Sequence, residues 1–216
     1  MRTGKLILIT FYFTMKAYNL GQNVVLYNLK SISLMENRLK LYFLALIPDE
    51  NVSERVQEIK NDFKEKYNAV VALKSPAHIT LQPPIKISEE LEQRYIEKLS
   101  DFKFYKGKFE IELKNFAAFV PRTIYIDVVA NTSLLELQKD FSRFLEDNCL
   151  ITSDQIDRRP YTAHMTVANR DLKQEYFKTA WKSYKDKPFD AKFEVSGFSL
   201  LKHNGTTWEI IKSFNF

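Results

Sequence analysis

The chain has 216 residues, 45% hydrophobic and 27% charged, a composition that suits a globular protein with a real core and excludes a disordered or low-complexity one. A formal net charge of +5 and a pI near 9.1 fit an anionic ligand without requiring nucleic acid. The single cysteine, Cys149, in a predicted helix, excludes an intrachain disulfide and points to a reducing, cytoplasmic compartment. Three histidines without Cys-x-x-Cys or His-x-x-x-His spacing leave no zinc site, so neither metal nor cofactor is expected.

Residues 1–34 carry an apolar run, Leu6 to Phe13, behind Arg2 and Lys5. It is too short to span a bilayer and no small-x-small cleavage site follows, so no membrane association is expected. Two explanations stand: an over-extended reading frame, with translation starting at Met35, or added strands from Lys5 to Phe13 and Asn23 to Leu29. The patterned domain, residues 35–216, begins with a buried strand, Leu39 to Ile47, closed by Pro48. A helix follows, with Asn51 and Glu54 as a capping box and Val52, Val56, Ile59, Phe63 and Tyr67 on one face.

Next comes Pro76-Ala77-His78-Ile79-Thr80-Leu81, a period-two alternation that puts Ile79 and Leu81 in a core and His78 and Thr80 together on the opposite face. Gln82-Pro83-Pro84 should stop this strand. Ser88 then caps a helix with Glu89 and Glu90 in its first turn and Leu91, Tyr95, Leu99 and Phe102 on its buried side. A strand is predicted from Lys108 to Phe116.

After Val120-Pro121-Arg122 the order begins again. Thr123 to Val129 is a strand, Ser133 and Glu136 form a second capping box, and Leu134, Leu137, Phe141, Phe144 and Leu145 line a helix. The second motif strand is Thr162-Ala163-His164-Met165-Thr166-Val167. A fourth helix is predicted from Asp171, then two strands, Phe189 to Leu201 and Thr206 to Phe214, around the turn His203-Asn204-Gly205. Each half thus reads strand, helix, His-x-Thr strand, helix, strand, an internal duplication. The expected fold is α+β and bilobal, a pseudo-twofold duplicated unit with two antiparallel sheets flanked by helices around a central cleft carrying both motifs.

Two histidines in one frame suit acid-base chemistry, because imidazole alone titrates near neutrality, at about 6.5. A threonine hydroxyl beside each can donate to a non-bridging phosphate oxygen. Two such strands facing across a cleft would make a metal-free site for phosphodiester chemistry. The bland alternative is two β-propensity strands with structural histidines. Tyr125 should alternate outward with Thr123 and Asp127, where it could stack on a base or simply pack. Arg158 and Arg159 are candidates for phosphate contact or for a solvated basic loop, as is Lys74, and His203 reads as an exposed turn residue.

The quartets His78-Ile79-Thr80-Leu81 and His164-Met165-Thr166-Val167, their separation and the strand-helix order around them resemble the 2H phosphoesterases. That superfamily contains the proteins called 2'-5' RNA ligases or RNA 2',3'-cyclic phosphodiesterases, and the resemblance covers about Leu39 to Phe214. It implies a bilobal fold whose central groove takes RNA ends or small nucleotide phosphodiesters, with His78 and His164 as the catalytic acid-base pair and Thr80 and Thr166 as phosphate clamps. The family often places an arginine two residues after the apolar residue of the second motif. Asn169 stands there in this chain, with Arg170 one place later as a candidate substrate contact. A monomer is the simplest expectation, and a non-catalytic RNA- or nucleotide-binding module using the same cleft is the competing one.

Overall fold

The computed structural model describes residues 39–216 and, before them, the backbone of two strands, Met15–Leu20 (β1) and Asn23–Asn28 (β2). These pair antiparallel as a hairpin, with Leu20 opposite Asn23. β2 falls where the second strand of the N-terminal segment was expected. The first, Lys5 to Phe13, lies outside the described residues.

Strand β3, Leu39–Leu46, sends Tyr42, Leu44 and Leu46 into the main core, while Phe43 and Ala45 form a smaller cluster with Leu201. Helix α1, Glu50–Tyr67, starts one residue before the expected capping box. Asp49 caps it, its carboxylate accepting from the Val52 N–H at 2.9 Å. A 3-10 turn, Val71–Lys74, leads to β4, Ile79–Ser88. Pro83 and Pro84 do not end this strand. β4 is an edge strand, where missing N–H donors are tolerated, and its ladder with β3 slips across the prolines, from Tyr42 opposite Ile85 to Leu44 opposite Gln82. The Ser88 side chain caps nothing; a 3-10 turn, Glu89–Leu91, precedes helix α2, Glu92–Leu99, and Leu91 is exposed.

Strand β5 is Phe109–Phe119, β6 is Thr123–Val128 and helix α3 is Thr132–Asp147. Asn131, rather than Ser133, caps α3. Its side-chain oxygen accepts from the Leu134 N–H at 2.9 Å and its amide donates to the Glu110 carbonyl at 2.8 Å, so it ties the helix to β5 as well. Cys149 lies beyond the end of α3, exposed and with φ of 52°. The second motif strand is β7, His164–Ala168, and helix α4 is Gln174–Tyr184. Asp171 does not start α4. Its Oδ2 accepts from the N–H groups of Val70 and Val71 at 2.6 and 2.9 Å, holding the 3-10 turn of the first half.

The single strand expected from Phe189 to Leu201 is two: β8, Asp190–Val195, and β9, Gly197–His203, followed by β10, Trp208–Asn215. They belong to different sheets. One sheet has the order β10-β9-β3-β4, the other β7-β6-β5-β8, and every neighbouring pair is antiparallel. In each sheet the motif strand is the edge, beside the first strand of its own half. The closing strand β5 of the first half has crossed to the second sheet, and the hairpin β9-β10 returns to the first.

Helices cross as well: α1 packs on β7 and β8, and α3 on β4. One continuous core therefore runs through both lobes, from Leu44 and Phe63 to Phe141 and Phe193. The two motif edges, β4 and β7, come together where the lobes meet.

Candidate active site

Alternation along β4 buries Ile79 and Leu81 and leaves His78 and Thr80 half-buried; β7 buries Met165 and Val167 and leaves His164 and Thr166 half-buried. The two histidines are held alike. His78 Nδ1 lies 2.8 Å from the Pro76 carbonyl and His164 Nδ1 lies 2.7 Å from the Thr162 carbonyl, each two residues upstream. A carbonyl only accepts, so Nδ1 carries the proton in both rings and Nε2 is left as the basic nitrogen of each neutral imidazole.

Rings support both. Phe43 packs on His78 with centroids 4.9 Å apart. Phe119 and Tyr125 pack on His164 at 5.0 and 5.2 Å. Burial pushes the His78 imidazole down to about 4 against the raising effect of its carbonyl partner, and the Lys60 and His164 charges push the same way as burial. Burial also lowers His164, again opposed by its carbonyl bond.

Between the lobes lies a cavity of about 780 Å³. Thr80 and His164, one residue from each motif, line it. Its walls are the Gln82-Pro83-Pro84 segment, the Lys139 and Arg143 side of α3, the loop of Ile156 to Thr162, and Phe119. The loop is anchored to the first motif: the Tyr161 hydroxyl donates to the Thr80 carbonyl at 3.0 Å, and the buried Gln82 amide donates to the Gln155 carbonyl at 3.3 Å. The lining combines charged and polar groups with apolar and aromatic ones, which suits a ligand that combines a charged group and a ring.

Not every expected residue converges here. Arg159 lines the cavity, but its guanidinium is engaged by Asp157 at 2.8 and 2.5 Å. Arg158 and Arg170 are exposed and are not among the lining residues. The Asn169 side chain, which takes the place of the expected arginine, accepts from the Thr123 hydroxyl and from the Arg170 N–H. Tyr125 lies on the His164 side of β6 but is 6% exposed, so it supports the imidazole rather than offering a free face. His203 is half-buried at the end of β9, its ring edge-on to Trp208 at 4.9 Å.

Sequence reasoning missed Phe119, Tyr161 and Lys60. Phe119 lies beyond the predicted end of its strand, Phe116; Tyr161 sits in a loop whose fold no period reveals. Lys60 occupies an apolar stripe of α1, and a lysine in such a stripe was the available signal. Among the described residues, no group of three or more His, Cys, Asp or Glu side chains is placed to hold a metal ion, and no helix is long and apolar enough to cross a membrane.

Comparison with known proteins gives the family and the fold. The family model of the 2'-5' RNA ligase superfamily matches residues 48–207. A Bacillus licheniformis protein carried under a provisional phosphoesterase name is 26% identical over 132 residues, 60% of this chain and 70% of that protein. A Geobacillus protein named in the same way is 24% identical over 178 residues, 80% of this chain and 94% of the relative. Among solved structures, Escherichia coli LigT complexed with 3'-AMP aligns with a TM-score of 0.61 at 16% identity, over 82% of this chain and 98% of LigT. The Thermus thermophilus protein TT0787 aligns with a TM-score of 0.56 at 19% identity, over 82% and 97%. At these identities the structural likeness carries the fold.

Proposed function

The chain belongs to the 2'-5' RNA ligase superfamily, and from that premise we propose that it is a metal-independent phosphodiesterase acting on 2',3'-cyclic phosphates, 2'-5' linked RNA ends or related nucleotides. His78 and His164 are its acid-base pair, and Thr80 and Thr166 its phosphate clamps. The observation that carries this reading is the matched tethering of the two imidazoles. Each donates Nδ1–H to the carbonyl two residues upstream and keeps Nε2 for proton transfer, on edge strands that meet between the lobes. A binding module has no chemical need for two such nitrogens.

For a cyclic phosphate, one Nε2 takes a proton from water as the water oxygen bonds to phosphorus. The bond from phosphorus to one ribose oxygen breaks, and that oxygen takes its proton from Nε2 of the other ring, which enters the step as the imidazolium. Hydroxyls at Thr80 and Thr166 would donate to the non-bridging oxygens as charge builds on them. By microscopic reversibility the same groups serve ligation. LigT, the structural neighbour, has been crystallised with 3'-AMP, ATP and NADP+, so a nucleotide is the ligand class this cavity is proposed to take. Both motifs come from one chain, which supports a monomer as the working unit, and the unpaired, exposed Cys149 supports a reducing, cytoplasmic setting.

The test is hydrolysis of a 2',3'-cyclic nucleotide with EDTA present, from pH 5 to 9. The native protein should turn over with a two-limbed pH profile, and His78→Ala or His164→Ala should lower kcat/KM by about 100-fold or more while nucleotide binding persists. Turnover unaffected by either substitution would overturn the assignment. Binding without turnover in the native protein would favour the non-catalytic module.

A further inference from the structure

We propose that Lys60, on α1, is a positioning residue for the His78 imidazole and makes the two histidines unequal, with His78 the proton acceptor and His164 the proton donor. The assignment rests on the reading of the pair as catalytic. Lys60 is 1% exposed within the buried stripe Val52, Val56, Phe63 and Tyr67. An ammonium taken out of water is strongly destabilising unless it is well bonded, so its partners matter. Its Nζ donates to the Ser75 carbonyl at 2.9 Å and to the Pro76 carbonyl at 3.2 Å. The Pro76 oxygen is the one that receives His78 Nδ1–H.

A carbonyl oxygen has two lone pairs, so it takes both donors at once. The ammonium thus fixes the group that fixes the imidazole. It also places a positive charge close to a ring that would itself become positive on protonation, which disfavours the imidazolium. The charged groups that bear on His78 are Lys60 from α1 and His164 from β7; Phe43, packed on it from β3, carries no charge. Burial holds Lys60 down to about 8, so it keeps its charge below that pH and acts across the neutral range.

The second motif lacks this device. Among the described residues, the Thr162 carbonyl holds His164 without an ammonium beside it, and burial is what lowers that imidazole. Two groups in related positions whose surroundings separate them are the arrangement that acid-base catalysis requires. In hydrolysis the water proton passes to His78 Nε2 as the oxygen bonds to phosphorus. His164 enters the step as the imidazolium, and the departing ribose oxygen receives the proton of its Nε2.

The test is Lys60→Met, which keeps the length and removes the charge, beside Lys60→Arg, which keeps the charge. In the methionine variant the acid limb of the kcat/KM profile should move up by about one pH unit, and plateau kcat should fall about ten-fold as the ring loosens, with KM little changed. The arginine variant should leave the limb in place. A Lys60→Met variant with lowered stability and an unmoved limb would overturn the proposal and leave Lys60 a packing residue. Should Lys60→Met fail to fold, ring-nitrogen NMR of the native protein decides: His78 must titrate below His164, and the reverse order overturns the assignment. The NMR readout needs no turnover. Inactivity toward cyclic nucleotides would therefore count against the catalytic reading alone.

Discussion

At the scale of single residues, Thr80 joins the two lobes. Its carbonyl accepts from Tyr161 in the loop before the second motif, and its side chain lines the cavity that His164 also lines. A hydroxyl donor aimed at a phosphoryl oxygen acts in the transition state, so its removal is expected in kcat/KM rather than in stability. Thr80→Val should lower kcat/KM about 100-fold toward a cyclic nucleotide, whereas Thr80→Ser should retain most of the activity. Steady-state kinetics of the two variants separates the hydroxyl from the branched shape. Equal activity of Thr80→Val and native protein would remove Thr80 from the site.

At the scale of elements, the join of β8 and β9 carries the crossing between sheets, and Ser196 alone separates the two strands. Gly197 makes the crossing possible: a Cβ there would sit 1.8 Å from the Phe214 carbonyl oxygen of β10, a backbone atom that cannot swing aside. Gly197→Ala should therefore force the β9-β10 pairing apart and destabilise the protein by about 3 kcal/mol. Gly205→Ala, at φ of 107° but with open space around it, should cost about 1 kcal/mol. Urea unfolding midpoints compare the two.

The same join shows what the sequence reveals. The period-two pattern of β4 and β7 and the helical stripes of α1 and α3 depend on neighbours along the chain, so strand, helix and the outward histidines were legible. Which sheet a strand joins depends on residues far away. Phe189 to Leu201 therefore read as one strand, and Gly197 was the one local mark of the change. The caps lie two residues before the predicted boxes, at Asp49 and Asn131, each accepting from the N–H three residues on. Asn131 and Asp171 also bond across the fold, to Glu110 and to Val70 and Val71, and a local pattern cannot register such partners.

At the scale of the whole molecule, the two motif histidines make stability depend on pH. His78 binds its proton at about 4 in the folded protein and near its ordinary 6.5 in the unfolded chain, and His164 is shifted the same way. Between these values the unfolded state holds more protons, so stability rises with pH through that window and is lost as pH falls through it. Carboxylates held low, such as Asp62 and Glu92, lose their contribution in a lower window, below their ordinary values of 3.8 and 4.5. A comparison at pH 7 and pH 5 therefore reads mainly the histidines. The native protein should lose about 2 kcal/mol of unfolding free energy over that step, and His78→Asn should lose appreciably less. Denaturant titrations at the two pH values check this, and an equal loss in both proteins would show that His78 is not the group being titrated. The imidazole proposed to accept a proton during turnover is thus the group expected to make the fold sensitive to mild acid, one property of His78 seen at two scales.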